Sequence, residues 1–205
     1  MFQERERKFV GDVVERSKRV LMYEEKNLQQ QALSVMPVDA LTKKANEKMK
    51  RVGAEQSSLQ EFILLELLHW FKSSFFSWVD CPKCEACEAE TTRRGNISPT
   101  PEDLKWGGNR VEVYQCSKCS HVTRFVRYNH PGKLLETRRG RCGEWANCFT
   151  LCCRALGMEA RLVLDWTDHV WTEVYSRMFS YTLYLQENLL FFSNYLIGFL
   201  RCCRD

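Results

Sequence analysis

The sequence predicts an α+β fold with helices at the N-terminus and a cysteine-rich metal-binding subdomain in the middle. Three observations support this. Apolar residues recur at helical spacing up to about residue 76, two Cys-x-x-Cys pairs lie between residues 81 and 119, and residues 142–176 carry a helical pattern followed by two strand patterns. A helix that precedes adjacent strands is typical of α+β proteins.

Composition and charge restrict the class of protein. The chain has 205 residues with 30 basic and 26 acidic side chains, so its net charge of +4 is too small to favour nucleic-acid binding. The first eight residues are mostly charged, where a secretion signal would be apolar. Eleven cysteines without such a signal favour reduced thiols in the cytosol or nucleus over a disulfide framework, and of these two locations we expect the cytoplasmic one.

The first 76 residues are predicted to form helices. Pro37 interrupts the pattern, and Ser58 followed by Glu61 resembles a capping box before the apolar run 62–68. That run is too short to span a bilayer, so we expect a buried core helix.

The cysteine spacing predicts a metal site in a loop-rich segment. Two sulfurs from each Cys-x-x-Cys turn complete the tetrahedron that zinc prefers, and the predicted ligands are Cys81, Cys84, Cys116 and Cys119. Cys84-Glu85-Ala86-Cys87 is also a Cys-x-x-Cys turn, which leaves the role of Cys87 open. We favour structural Zn²⁺ over a redox dithiol, because redox motifs rarely occur as two separated pairs.

Cys142 is the candidate nucleophile. It stands where the Gly140–Gly143 turn meets a predicted helix that ends at Gly157, and a helix N-terminus favours the reactive thiolate. His169 begins the second predicted strand and is the candidate base; a packing role for this histidine is the alternative.

Longer stretches of sequence resemble a known family. Residues 140–157 and 165–176, together with 104–107 and 127–138, closely resemble cytoplasmic peptide:N-glycanase, a family with a transglutaminase-like, papain-related core. The resemblance covers residues 1–176 and includes the zinc knuckles. It implies that the chain is an amidase that cleaves the bond between asparagine and the first N-acetylglucosamine of glycans on misfolded glycoproteins destined for proteasomal degradation.

The resemblance also assigns roles to residues and partners. Cys142 would attack the amide and His169 would move the protons. The N-terminal helices would bind a ubiquitin-shuttle protein of the UV-excision-repair type. The candidate wall residues of the glycan cleft are Trp106, Trp145, Trp171 and Glu173. For each of the three tryptophans, packing in the core is an equal alternative.

The chain departs from the family after Ser176. The family places its third catalytic residue, an aspartate, after the histidine strand, but residues 177–204 contain no aspartate. Asp165 and Asp168 do not match that position. We therefore expect a core that is incomplete at its C-terminus, and little or no activity. Three functions stay open: the amidase, a catalytically silent partner- or glycan-binding module, and transglutaminase-like acyl transfer to amines.

The predicted organisation follows from these segments. Residues 178–200 are apolar but are interrupted by Gln186, Glu187 and Asn194, so we do not expect a membrane span. The expected units are a helical region (residues 1–76), a zinc-binding subdomain (77–130), a transglutaminase-like catalytic segment (131–176) and a divergent apolar tail (177–205).

Overall fold

Helices form the N-terminal region of the protein, as the apolar spacing predicts. The structure, a computed structural model, describes residues 2–54, 58–165, 169–176, 181–186 and 189–192. The helices are α1 Phe2–Arg19, α2 Lys26–Val35, α3 Val38–Arg51 and α4 Leu59–Trp70, with a 3-10 turn Val20–Glu24 after α1 and a π-helical turn Phe71–Phe75 after α4. Pro37 separates α2 from α3, because proline lacks the amide that a helix interior needs.

The start of α4 differs from the capping box that the sequence suggests. Ser58 is the N-cap residue, but its side chain makes no capping hydrogen bond. Glu61 instead accepts a hydrogen bond from the Ser176 hydroxyl at 2.6 Å. The carboxylate therefore connects the first half of the chain to a distant strand.

The cysteine-rich segment contains more regular structure than the predicted loops. Strands β2 Thr91–Ile97, β3 Arg110–Cys116 and β4 Val122–Arg127 form an antiparallel sheet in the order β2–β3–β4, with helix α5 Pro101–Lys105 between β2 and β3. β2 shows no alternation in its sequence because most of it is exposed, and its register shifts between Arg93 and Gly95.

A short parallel ladder connects this sheet to the rest of the molecule. Strand β1 Ser77–Trp78 pairs with β5 Arg139–Gly140. Helix α6 Pro131–Thr137 precedes β5, and helix α7 Cys142–Ala155 follows it directly. Gly157, with a φ of +74°, ends the helical segment as predicted.

The second sheet is antiparallel and has the order β6–β7–β8–β9. Its strands are β6 Ala160–Asp165, β7 His169–Ser176, β8 Tyr181–Gln186 and β9 Leu189–Phe192. β6 and β7 agree with the sequence prediction. β8 and β9, which the sequence analysis does not predict, extend the sheet into the segment that diverges from the family.

The core surrounds α7. Cys148, Phe149, Leu151 and Cys152 on this helix have no exposed surface, and they pack in one cluster with buried residues from the N-terminal helices and from the strands β7 and β8. Phe71 lies between Trp145 and Phe149, with ring centroids at 4.9 and 5.1 Å. A helix that is buried on nearly all sides gives its first residue a fixed position.

Two sequence expectations concern residues that fall wholly or partly outside the described ranges. Asp168 and, within the predicted tail, residues 177–180, 187–188 and 193–205 lie outside the described residues. Among the helices that the structure does describe, none combines the length and the apolar character that crossing a membrane requires.

Candidate active site and metal centre

Cys142 is the first residue of α7. Arg141 is the N-cap in an extended conformation, and its amide donates to Oε2 of Glu144 at 2.9 Å. The side chain of Glu144, the third helical residue, therefore caps the first turn of α7. The Cys142 side chain is half-buried. The positive end of the helix dipole, together with the amides of the first turn, favours an anionic thiolate at this position.

Two hydrogen bonds fix β7 along α7. The Thr172 hydroxyl donates to the carbonyl oxygen of Ala146 at 3.0 Å and lies 3.0 Å from the hydroxyl of Thr150. Further along the strand, the amide of Tyr175 donates to the carbonyl of Glu159, just beyond the end of the helix, at 2.9 Å. The strand and the helix therefore run in the same direction.

This alignment brings the beginnings of α7 and β7 to the same end of the pair. His169 precedes Thr172 by three residues, about 10 Å along a strand. Cys142 precedes Ala146 and Thr150 by about 6 and 12 Å along a helix. Because Thr172 contacts both of these helix residues, the first residues of α7 and of β7 lie towards the same end of the pair.

Three predicted site residues share one face of β7. The rings of His169 and Trp171 have centroids 5.5 Å apart, and the Trp171 indole donates to Oε1 of Glu173 at 3.2 Å. Arg161 of β6 donates to the other oxygen of Glu173 at 2.7 Å. Asp165 is the cross-strand partner of His169 in the register of the sheet.

The other two predicted wall residues lie elsewhere. Trp145 is 3% exposed and packs against Phe71 and Phe149, as the core-packing alternative for this residue predicts. Trp106 is half-buried at the end of α5, where its indole donates to Glu102 at 2.7 Å and its ring meets the edge of His130. Its contacts belong to the cysteine-rich region of the molecule.

Four sulfurs converge at one end of the β2–β4 sheet. The ligand atoms of Cys84, Cys87, Cys116 and Cys119 all lie within 4.8 Å of one another. Cys87 takes the place that the sequence predicts for Cys81, which is exposed and whose sulfur lies 3.9 Å from the carbonyl oxygen of Thr91. The turn Cys84-Glu85-Ala86-Cys87 therefore supplies two of the four sulfurs, and Cys116 and Cys119 supply the other two.

The geometry of this cluster fits a metal ion. Three of the sulfur–sulfur distances are 3.5 Å, close to the roughly 3.8 Å edge of a tetrahedron with metal–sulfur bonds of about 2.3 Å. Backbone amides of Cys119 and Lys118 donate to the Cys116 sulfur at 3.4 and 3.3 Å. The Cys119 amide first, and the Lys118 amide next, outweigh burial and lower the pKa of Cys116 from 9.0 to about 6.

A buried carboxylate lies between the sulfur cluster and Cys142. Glu112 of β3 has no exposed surface and accepts hydrogen bonds from Arg141 at 3.2 and 2.8 Å and from the Tyr114 hydroxyl at 2.7 Å. Burial by itself raises the pKa of Glu112. The hydrogen bonds from Arg141 and Tyr114 and the nearby positive charges outweigh it and lower the pKa from 4.5 to about 2.

A cysteine at a helix N-terminus and a histidine on a neighbouring strand are the residue types that cysteine-dependent acyl-transfer enzymes combine. Residues 96–184 match the family model of the transglutaminase-like superfamily. The chain belongs to this superfamily, and the match contains both candidate catalytic residues and extends into β8.

Named relatives make the similarity more specific. Three proteins named peptide-N(4)-(N-acetyl-beta-glucosaminyl)asparagine amidase are 56% identical in Gallus gallus, 50% in Oryza sativa subsp. japonica and 45% in Yarrowia lipolytica. The alignments cover 77, 81 and 75% of this chain, but 25, 38 and 44% of the relatives. The chain thus spans about a quarter of the Gallus gallus protein's length, and the family recognised from the sequence is confirmed.

Sequence reasoning missed several residues of the site. Cys87 was visible as a Cys-x-x-Cys partner, but spacing alone cannot choose between two overlapping pairs. Glu112 and Arg127, which donates to it at 3.2 Å, gave no signal, because an acidic and a basic residue on a strand usually face solvent. Glu144, three residues after the N-cap, was the one detectable member of this charged group.

Proposed function

We propose that this chain is an amidase of the peptide:N-glycanase type, with Cys142 as nucleophile and His169 as general base and acid. The observation that carries the proposal is the hydrogen bond from Thr172 of β7 to Ala146 of α7, which brings the first residues of both elements, Cys142 and His169, towards the same end of the pair. The identity to named amidases over three quarters of the chain supports the choice of reaction.

The chemistry needs two steps. The Cys142 thiolate attacks the side-chain carbonyl of a glycosylated asparagine, and the carbon–nitrogen bond breaks while the imidazolium of His169 protonates the leaving glycosylamine. Water, deprotonated by the now neutral imidazole, then hydrolyses the thioester. The peptide keeps an aspartate, the thiol is regenerated, and the glycosylamine later loses ammonia.

The face of β7 next to His169 is the proposed sugar site. Trp171 offers a flat apolar surface for a sugar ring, and the buried carboxylate of Glu173 fixes the tryptophan by accepting a hydrogen bond from its indole. Arg161 holds the Glu173 carboxylate at 2.6 to 2.7 Å, so the acceptor is charged and oriented. Of the four predicted wall residues, we retain Trp171 and Glu173.

Turnover depends on how the imidazole of His169 is oriented. In a serine protease, replacing the orienting aspartate by asparagine lowers kcat about 10⁴-fold. Residues 177–204 lack the family's aspartate, so we expect slow turnover by this chain. A catalytically silent module that binds glycan or partner is the limiting case of this loss.

The test is deglycosylation of a denatured N-glycoprotein by the purified chain. We expect slow conversion of glycosylated asparagine to aspartate, detected by peptide mass spectrometry, and its abolition in Cys142→Ala but not in the surface control Cys81→Ser. A chain that carries the family's C-terminal segment should turn over much faster. Transfer of substrate to an added amine, without aspartate formation, would instead support the transglutaminase-type reaction.

We also propose that the metal at the four-sulfur cluster is structural Zn²⁺. Four thiolates in a tetrahedral arrangement suit zinc better than oxygen-preferring cations such as Mg²⁺ or Ca²⁺. Lys83 and Lys118 lie beside the cluster in the sequence and offset some of its negative charge. A thiolate site of this kind agrees with a reducing, cytoplasmic location.

The N-terminal helix is the proposed binding surface for the partner. α1 exposes Phe9, Val10, Val13 and Val14, each between 40 and 58% accessible. These residues recur at helical spacing and form an apolar stripe that suits a partner groove. We propose that the stripe binds a ubiquitin-shuttle protein and so places the site in the degradation of misfolded glycoproteins. Val13→Glu should abolish co-purification of that partner, whereas Glu6→Gln should not.

A further inference from the structure

The backbone that leads into Cys142 is paired with the backbone that leads into the sulfur cluster. In the β1–β5 ladder, Ser77 is opposite Arg139 and Trp78 is opposite Gly140. The amide of Val79 adds a hydrogen bond to the carbonyl of Gly140 at 2.9 Å. Only a few residues separate this ladder from Cys142 on one strand and from Cys84 on the other.

The side chain of Arg141 joins the same two segments. Its Nε donates to the carbonyl of Val79 at 3.2 Å and one terminal nitrogen donates to the carbonyl of Asp80 at 2.8 Å. Both terminal nitrogens also reach the carboxylate of Glu112, at 3.2 and 2.8 Å. The rigid fork of an arginine makes all these contacts from one fixed orientation.

A second arginine closes these contacts into a ring. Arg127 donates to Glu112 at 3.2 Å and forms a bidentate pair with Glu144 at 2.5 and 2.8 Å. Glu144 in turn accepts from the backbone amide of Arg141. The ring therefore begins at the side chain of Arg141 and ends at the backbone of the same residue, next to Cys142.

The burial of this ring separates it from ordinary surface ion pairs. The exposed fractions of the side chains are 0% for Glu112, 6% for Glu144, 16% for Arg127 and 22% for Arg141. Exposed pairs contribute little, but breaking a buried pair leaves an uncompensated charge and forces the neighbouring backbone to move. Gly140 has no room for a side chain, because a Cβ would collide with Glu144. The turn before Cys142 has one tightly specified conformation.

We propose that Glu112 and Arg141 are positioning residues for Cys142. Glu112 fixes the Arg141 guanidinium, Arg141 fixes the turn that presents the thiol, and the reactivity of Cys142 consequently depends on the β2–β4 sheet that carries the sulfur cluster. The inference rests on the proposed role of Cys142 as nucleophile, and neither positioning residue needs to touch the substrate.

The test follows alkylation of Cys142 by iodoacetamide in the full chain as a function of pH, with the modified peptide measured by mass spectrometry. Arg141→Lys keeps the charge but loses the fork, and Glu112→Gln keeps the shape but loses the charge. We expect each variant to lower the alkylation rate at neutral pH about tenfold or more and to move its pH profile upwards. Arg154→Lys, at the opposite end of α7, is the matched control and should leave rate and profile unchanged.

Two results would overturn the proposal. One is a variant in which Cys142 alkylates with the original rate and pH profile. The other is a variant in which the buried Cys148 and Cys152 become labelled as fast as Cys142, because that shows general loss of stability. The double variant Glu112→Gln/Arg141→Lys adds a further check: it should be no slower than the slower single variant, and additive losses would show that the residues act separately.

This readout is independent of glycan cleavage. A chain that shows the expected alkylation changes but never converts glycosylated asparagine to aspartate refutes the amidase and keeps the positioning role. A chain that deglycosylates and whose variants alkylate normally refutes the positioning role and keeps the amidase.

Discussion

The two sides of the turn before Cys142 are stabilised by different forces. On one side, the helical core surrounds α7 with apolar side chains such as Phe71, Phe149 and Leu151. On the other side, the β2–β4 sheet contributes the buried charge of Glu112, and four sulfurs from the end of β3 and from the turns beside the sheet lie together. The core excludes water by packing, whereas the sheet requires compensating charge to remain closed.

This difference predicts how each side should lose its folded structure when one of its residues is replaced. The packed core loses stability in proportion to the apolar contact that is removed. The sheet side depends on discrete partners, which are the paired charges and the proposed metal ion, so losing one partner should disrupt it abruptly. Cys142 stands at the junction, and damage on either side should reach it.

The largest expected effect is loss of metal. Cys87→Ser should abolish metal binding, because serine is a poor substitute for a thiolate ligand. The β2–β4 sheet should then unfold, because structural zinc contributes roughly 10 to 16 kcal/mol to the folding of small zinc domains. Elemental analysis gives the metal content, and limited proteolysis shows whether the β2–β4 sheet is folded. Cys81→Ser is the matched control and should retain one ion per chain; loss of metal there would mean that Cys81 is a ligand.

Next in size is truncation of the core. Phe149→Ala should lower the free energy of unfolding by about 3 to 5 kcal/mol, because it empties a fully buried site on α7. Chemical denaturation measures the loss. The metal content of the folded variant should stay unchanged, which separates the two sides. The exposed control Val122→Ala should change stability by less than about 0.5 kcal/mol.

A smaller effect is expected where β7 is attached to α7. Thr172→Val should cost about 1 to 3 kcal/mol, because it leaves the buried Thr150 hydroxyl without its hydrogen-bond partner. Thr150→Val should cost less, since Thr172 still donates to the carbonyl of Ala146. Thermal unfolding of both variants measures the two losses. If the losses were equal, the cause would be the replacement of a hydroxyl by a methyl group and not the lost hydrogen bond.

A gradual effect is expected in acid, and it belongs to the sheet side. The pKa of Glu112 is about 2 in the folded protein and 4.5 ordinarily. The unfolded chain therefore takes up the proton first, and the contribution of Glu112 to stability, complete above about pH 4.5, is lost as the pH falls towards 2. Asp103 adds to the same trend: hydrogen bonds from Thr100 and Arg124 lower its pKa against the effect of burial. Unfolding curves at several pH values should show a flatter dependence in Glu112→Gln.

The sequence is sufficient for the elements whose signal is local. The helices up to residue 76, α7 and the strands β6 and β7 follow apolar periods that residue spacing alone reveals. Local context also points to Cys142 and His169, and their catalytic roles stay predictions. The spacing anticipates a four-cysteine cluster but not its membership, since overlapping Cys-x-x-Cys turns differ only in three dimensions.

The rest depends on contacts between distant residues. Arg127 and Glu144 are 17 positions apart, and Glu112 and Arg141 are 29 apart, so no local pattern pairs them. The exposure of β2 hides the β2–β4 sheet from a search for alternating residues. β8 and β9 escape prediction because the departure from the family suggests the end of the sheet, whereas strand pairing tolerates any sequence with suitable alternation.

The position of β7 inside its sheet has a consequence for motion. Because β7 is hydrogen-bonded to β6 on one side and to β8 on the other, its amide hydrogens should exchange with solvent only through openings that approach global unfolding. The two-residue β1–β5 ladder has few amides to protect and should open locally and far more often. Fast exchange of the Val79 amide, which donates to Gly140, would then report opening of the ladder while β7 stays closed.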